Sequence, residues 1–191
     1  KPLIVGLGGT TRDASTSERA LTLALQHCER LGARTLAFTG LTLNLPPYDP
    51  ANAGQVPQAQ PLIDALRQAD GVIVATPSYH GSISGMVKNA LDYTEDMRSD
   101  ARPYFDGRAV GCIVVAEGAQ AMGSTLIALR SIVHALRGWP TPYAATLDGA
   151  VDRALMDDRL GELRSLQDDI TAARRDELIG LDIEVLIDEP G

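Results

Sequence analysis

The chain has 191 residues, 45% of them hydrophobic, and a formal net charge of −8. This length fits one domain that buries a core without disulfides or a metal, so two domains are not expected. The segment 176–191 holds six acidic and no basic residues, which leaves 17 basic and 19 acidic side chains in residues 1–175. A nearly neutral body argues against polyanionic partners, and we expect no nucleic acid and no membrane among its partners.

The two cysteines, Cys28 and Cys112, lie in apolar patterns and form no Cys-x-x-Cys pair. The sequence therefore indicates neither a disulfide framework nor a zinc site, and we expect no metal ligands. No segment resembles a secretory signal, and the apolar runs are far shorter than the roughly 20 residues that span a bilayer. A soluble protein in the reducing cytoplasm is the simplest expectation.

The first part of the chain predicts two strands, each followed by a helix. An apolar run at residues 3–7 is typical of a strand covered on both faces. After a loop rich in glycine and threonine, a helix is predicted that ends at Gly32 and has the apolar stripe Leu21, Ala24, Leu25, Cys28 and Leu31. A second strand is predicted at 35–38. The Pro-, Asn- and Gly-rich segment 40–57 separates it from a helix bearing Leu62, Ala65, Leu66 and Ala69.

The alternation continues through the second part of the chain. A strand at 71–76 leads into a helix over 83–91, and a strand at 109–116 leads into a helix over 122–136. A further strand is predicted at 143–147. Together with the helix that follows, this pattern makes five strand–helix units, which imply a three-layer α/β sandwich with a parallel sheet.

The last predicted helix spans residues 152–174 and is polar, with one apolar face. The predicted domain therefore covers residues 1–175. Beyond it, residues 176–191 are acidic but too apolar for a simple disordered tail, and they alternate in part. We expect an ordered arm that packs on its own subunit or on a partner.

In parallel sheets of this kind, ligands bind outside the carboxyl ends of the strands, where the strand order reverses. The loops after the first, third and fourth predicted strands should therefore converge on one site. These loops are residues 8–17, 77–82 and 117–123. Nothing in the third loop is aromatic.

The first of these loops has the composition of a phosphate site. Its candidate ligands are Arg12 and the hydroxyl-bearing residues Thr10, Thr11, Ser15, Thr16 and Ser17. A helix start behind them adds unpaired N–H groups and the positive end of a dipole, while Arg12 offers a charge-assisted fork. Asp13 should face away. The alternative is that Ser15 and Glu18 form a capping box and the hydroxyls merely begin the helix.

Two common nucleotide motifs are absent. Thr11 occupies the position of the third glycine of Gly-x-Gly-x-x-Gly, and no Gly-Lys-Ser/Thr loop exists. The first loop instead resembles the Ser-x-Arg-x-x-Ser-x-Asn loop of the NAD(P)H-dependent FMN reductase family, matched here by Thr10, Arg12, Ser15 and Ser17.

Two more segments carry the same resemblance, which covers about residues 3–147. Residues 77–93 resemble the family's Pro-Glu-Tyr-Asn-Gly-Ser-Ile-Pro-Gly loop and its Lys-Asn-Ala-Leu-Asp helix, with Ser78 in place of the acid and His80 in place of the amide. Residues 45–49 resemble the family's Leu-Pro-x-Tyr-Asp.

The resemblance implies a flavodoxin-like sheet of order 2-1-3-4-5 that binds FMN and accepts hydride from NADH or NADPH. It also implies a homodimer or homotetramer with flavin sites near subunit boundaries, and the segment 40–57 is long enough to reach over a neighbour. The implied cofactor-binding residues, besides those of the first loop, are Pro77, Ser78, Tyr79, His80, Gly81, Ser82, Glu117 and Gly118.

No side chain needs to act as an acid or base in this reaction, so no catalytic residue is predicted. Without the family, His80 would be an acid–base candidate or an ordinary surface histidine. The aromatic-free third loop suggests that one flavin face stays open for the nicotinamide.

Several functions stay open at this point. The reduced FMN leaves to feed a partner monooxygenase, or it stays and reduces a quinone, an azo compound, a metal ion or a biosynthetic intermediate. A flavodoxin that carries electrons belongs to another class, and a flavin-free binding or scaffold domain is a third alternative.

Overall fold

The computed structural model describes residues 1–149, which form a parallel sheet with helices on both faces. The strands are β1 (Leu3–Gly8), β2 (Arg34–Thr39), β3 (Gly71–Tyr79), β4 (Ser82–Ile83), β5 (Ala109–Ala116), β6 (Trp139–Pro140) and β7 (Ala145–Asp148). The helices are α1 (Thr16–Arg30), α2 (Gln60–Gln68), α3 (Gly85–Asp92) and α4 (Ala119–Ala135). The helix predicted at 152–174, the domain end at 175 and the arm at 176–191 lie outside the described residues.

The sheet runs in the order β2-β1-β3-β5, and both β6 and β7 pair with β5 on its far side. The predicted flavodoxin-like α/β class is confirmed, with two differences in the strands. The fifth position is interrupted, because β6 pairs with the beginning of β5 and β7 with its end. In addition, the short strand β4 pairs antiparallel with β3 and was not predicted.

The two faces of β1 are covered by different helices. Gly6 has no side chain, so Leu21 and Leu25 of α1 pack directly above it; a Cβ at Gly6 would lie 2.7 Å from Cδ1 of Leu25. Because side chains alternate along a strand, Val5 and Leu7 point to the other face. There they join the main core with buried residues of α2, α3 and α4, among them Leu62, Leu66, Val87, Leu91, Leu129 and Val133.

The long connection between β2 and α2 is fastened to its own chain through Asn89 of α3. The side-chain amide of Asn89 donates to the carbonyls of Leu45 (3.2 Å) and Pro46 (2.9 Å), and its Oδ1 accepts from the Tyr48 amide at 2.8 Å. Tyr93 donates to the Pro46 carbonyl at 2.9 Å and meets the Tyr48 ring edge-on at 5.2 Å. These contacts hold this part of the segment against α3 of its own chain, and the expectation that the segment reaches over a neighbour stays a prediction.

Arg108 is a fully buried cation at the amino end of the sheet, directly before β5. Its guanidinium donates to the carbonyls of Ala69 (2.9 Å), Tyr104 (2.9 Å) and Arg67 (3.0 Å). Burial lowers the pKa of this guanidinium from its ordinary value. Arg108 thus ties the end of α2 to the start of β5, at the edge opposite the carboxyl ends of the strands.

Within residues 1–149, no helix is long and apolar enough to cross a membrane.

Candidate functional site

A cavity of about 670 Å³ opens at the carboxyl ends of β1, β3 and β5. Its volume lies within the roughly 300–1,000 Å³ that small-molecule sites occupy. Twelve of the fourteen residues named above as candidate ligands line it: Thr10, Thr11, Arg12, Ser15, Thr16, Ser17, Pro77, Ser78, Tyr79, His80, Gly81 and Glu117. The three loops therefore converge, as the rule for parallel sheets predicts.

Two glycines bring the first loop close to β3. Gly8 and Gly9 have φ values of 153° and 95°, and the Gly9 amide donates to the Ala75 carbonyl at 3.2 Å. A Cβ at Gly8 would lie 2.0 Å from that same carbonyl oxygen, so no other residue fits there without moving the backbone. This close approach places the first loop beside the end of β3.

Some hydroxyls of the first loop build the loop itself. The Ser15 side chain caps α1 by accepting from the Glu18 amide at 3.3 Å, and Oγ of Ser17 lies 3.4 Å from Oγ of Ser15. Thr10 Oγ1 accepts from the Arg12 amide at 3.1 Å. The Glu18 carboxylate turns to Oγ1 of Thr39, at 2.9 Å. The capping alternative is thus correct for Ser15, although Glu18 contacts Thr39.

Arg12 is exposed and lines the cavity. No hydrogen bond or ion pair holds its guanidinium within the part of the chain that the structure describes. Asp13 is also exposed and does not line the cavity, in agreement with its expected orientation. The loop therefore presents a cation, the Thr11 and Thr16 side chains and the first turn of α1 to the cavity, with no carboxylate of its own among the lining residues.

The second loop is shorter than predicted, because β3 continues through Tyr79. His80 and Gly81 form a two-residue turn with φ values of 53° and 81°, and Ser82 pairs back with Tyr79. Positive φ at both central residues is typical of the type I′ turn, whose twist matches that of paired strands. Asparagine and histidine are both enriched at positive φ, so His80 suits the position where the family has an amide.

Two predicted residues do not line the cavity. Ser82 lies in β4, one residue beyond the turn, and Gly118 caps α4 with a φ of 96°. The third loop consists of Glu117 and Gly118 alone, because α4 begins at Ala119. The predicted loop extent to residue 123 was therefore wrong, since small residues at the start of a helix resemble a loop in sequence.

The cavity also contains four residues that the sequence did not single out as ligands: Val115, Ala116, Ala121 and Gly149. Val115 and Ala116 are the last residues of a predicted strand, so the strand-end rule points to them. Ala121 lies in the segment 117–123 that was predicted to converge on the site, although it belongs to the first turns of α4. Gly149 carries no such signal, because a distant strand end brings it there.

A short hydrogen bond joins the end of β3 to α4. Oγ of Ser78 lies 2.6 Å from Oγ1 of Thr125 and donates to the Ala121 carbonyl at 3.4 Å. Thr125 is fully buried, and Ser78 lines the cavity.

A family described as NADPH-dependent FMN reductase matches residues 2–152. The chain belongs to this family. The match includes all three loops that line the cavity, and it confirms the resemblance carried by Arg12 and by residues 77–93.

Two curated relatives match this chain over segments of about 100 residues. The NADH:(hydroxy)cinnamate reductase subunit CrdA of Vibrio ruber is 33% identical over 109 residues, which cover 55% of this chain and 52% of that protein. An FMN-dependent NADPH-azoreductase of Staphylococcus aureus is 36% identical over 93 residues, which cover 43% of this chain and 46% of the azoreductase. This family member thus spans about half the length of the curated relatives it matches.

Among solved structures, an apo NADH:FMN oxidoreductase has a TM-score of 0.62 at 21% identity, covering 83% of this chain and 84% of that one. At this identity the likeness concerns the fold, which is flavodoxin-like.

Proposed function

We propose that this FMN reductase family member binds FMN in the 670 Å³ cavity and reduces it with hydride from NADH or NADPH. The main observation behind this proposal is that the Arg12 loop and the β3–β4 turn line the same cavity. A phosphorylated ligand with a flat ring needs a binding site with two different ends. One end is cationic and binds the phosphate, and the other is formed by backbone that approaches the ring closely.

The first loop fits the phosphate of FMN. The Arg12 guanidinium is free to form a charge-assisted fork with phosphate oxygens, and Thr11 and Thr16 line the same cavity. The first turn of α1 adds unpaired amides and the positive end of the helix dipole. Because Asp13 does not line the cavity, no carboxylate of this loop opposes the phosphate charge.

The remainder of the cavity fits the ring. The turn residue Gly81 allows close backbone approach, and the small or apolar residues Val115, Ala116 and Ala121 also line the cavity. Backbone N–H groups of the second loop are proposed to hold the pyrimidine side, which orients the ring toward the nicotinamide. When bound, FMN supplies the hydride-accepting chemistry. No side chain is assigned as an acid or base.

For the electron acceptor, we propose release of reduced FMN to a partner monooxygenase. A second candidate is a prosthetic FMN that reduces an organic acceptor, and it is favoured by the relatives described as an azoreductase and a cinnamate reductase subunit. These two differ in whether FMN dissociates during turnover.

One experiment separates these functions from an electron carrier. The purified protein is titrated with FMN by fluorescence, and NADH and NADPH oxidation is then measured with excess FMN and, separately, with a quinone or azo dye. Many turnovers of free FMN support the reductase, and turnover only with the organic acceptor supports prosthetic FMN. A stable blue semiquinone with negligible NAD(P)H oxidation would indicate a flavodoxin, and no binding of FMN would contradict the proposal.

We also propose that the protein is a homodimer or homotetramer in the cytoplasm. The family resemblance is the support for the assembly. Light scattering coupled to size-exclusion chromatography tests it directly, and a monomer at micromolar concentration would contradict it.

A further inference from the structure

The hydroxyl pair Ser78–Thr125 joins two walls of the cavity that are far apart in sequence. Ser78 lies on β3 and lines the cavity, whereas Thr125 lies on α4, is fully buried and does not line it. Their oxygen atoms are 2.6 Å apart, which is a short O–H···O distance.

In the described part of the chain, the Thr125 hydroxyl bonds to β3 and not to its own helix. A helical threonine commonly bonds the carbonyl four residues earlier, which for Thr125 is that of Ala121. Among residues 1–149, the Thr125 hydroxyl makes no such bond, and the Ala121 carbonyl instead lies 3.4 Å from Oγ of Ser78. Both the Thr125 hydroxyl and the Ala121 carbonyl of α4 therefore contact Ser78 of β3.

The turn beyond Ser78 also packs closely on α4. A Cβ at Gly81 would lie 3.5 Å from Oγ of Ser124. Strand β4 has two residues, and a hairpin this short is marginal without further contacts. The bond from Ser78 to Thr125 supplies such a contact immediately before the turn.

We propose that Ser78 and Thr125 are a positioning pair that sets the separation between the β3–β4 turn and α4, and thereby the width of the flavin site at its ring end. This inference rests on the proposed FMN binding. Ser78 stands where the resembling family has an acid, and a carboxylate there would face the Ala121 carbonyl oxygen. A serine at position 78 can hydrogen-bond to the buried threonine without such repulsion. Neither side chain is required to touch the reacting atoms.

The test compares Ser78→Ala, Thr125→Val and the double variant with the wild type. The conservative variant Thr125→Ser keeps a hydroxyl in place. Two matched controls remove exposed helical hydroxyls that bond only their own helix: Ser131→Ala, whose Oγ donates to the Ile127 carbonyl at 2.9 Å, and Thr22→Val, whose Oγ1 donates to the Glu18 carbonyl at 3.0 Å.

Each single variant should raise the Kd for FMN by about three- to tenfold, the range expected for one buried hydrogen bond. The double variant should be no weaker than the weaker single variant, because both substitutions remove the same bond. At saturating FMN, the visible circular dichroism of the bound flavin should change in all three. Thr125→Ser and both controls should stay within about twofold of the wild-type Kd.

The outcomes separate this inference from the function on which it rests. Unchanged Kd and unchanged flavin dichroism in Ser78→Ala and Thr125→Val would overturn the positioning role while leaving FMN binding intact, as would additive losses in the double variant. Loss of apoprotein stability with an unchanged spectrum of bound flavin would assign the pair to folding alone and would also overturn it. A wild type that binds no FMN would overturn both. If Thr125→Val does not fold, Ser78→Ala decides, because Ser78 is only partly buried.

Discussion

Arg12 offers the sharpest test of where the phosphate of FMN lies. The guanidinium is exposed and lines the cavity, and no partner within residues 1–149 competes for it. Phosphate contacts at an exposed position replace contacts with water, so each charge-assisted bond contributes about 1 kcal/mol, below the roughly 1.5–3 kcal/mol usual for bonds to charged groups. Two bonds from one fork amount to about 2 kcal/mol, which corresponds to a roughly 30-fold higher Kd for FMN in Arg12→Ala.

The assay compares FMN with riboflavin, which has the same ring and no phosphate. Arg12→Ala should lose about 30-fold in FMN affinity and less than about threefold in riboflavin affinity, measured by quenching of flavin fluorescence. Arg12→Lys keeps the charge but not the fork, so an intermediate loss of about fivefold is expected.

The matched control is Arg30→Ala, which removes the same charge at the other end of α1. The helix has 15 residues, so its ends are about 20 Å apart. An equal loss of FMN affinity in Arg30→Ala would mean that the net charge matters and not the site. Equal losses for FMN and riboflavin in Arg12→Ala would place the phosphate elsewhere and refute the reasoning.

Three further predictions concern the backbone and core around the site. Gly8→Ala should lower the free energy of unfolding by about 2–4 kcal/mol and abolish tight FMN binding, because its Cβ would meet the Ala75 carbonyl; denaturant unfolding and a flavin titration measure both. Arg108→Met should cost about 3 kcal/mol and lower Tm by about 6–12 °C, because three carbonyls, one in a buried and two in part-buried hydrogen bonds, lose their donor. Cys112 should resist a thiol reagent at pH 8 in the native protein, because burial raises its pKa to about 11, whereas the partly exposed Cys28 should react.

Each of these has a result that contradicts it. Wild-type flavin affinity in Gly8→Ala would mean that the first loop does not depend on its approach to β3. A change in Tm below about 2 °C in Arg108→Met would show that water replaces the guanidinium without cost. Rapid modification of two thiols per native chain would mean that Cys112 is not in the core.

The parts of the fold and site that were predicted correctly are encoded by residues that are neighbours in the sequence. The run at 109–116 coincides with β5 because a continuous apolar segment is typical of a strand buried on both faces. The first loop reached the cavity as predicted because a strand end and a helix start enclose it. The boundary errors at Pro77–Tyr79 and at Ala119 arose because proline and small residues mark loops in sequence, whereas here pairing with β4 and β5 and the first turn of α4 order them.

The sequence by itself determined the class of fold, the family and the cationic, hydroxyl-rich composition of the Arg12 loop, because apolar periodicity and short motifs are local in the chain. The tertiary structure alone decided that Ser78 meets Thr125, 47 residues away, and that Arg108 binds carbonyls about 40 residues before it. Such contacts depend on how separate elements pack, and no pattern within a single segment specifies which distant hydroxyl or carbonyl a side chain will meet.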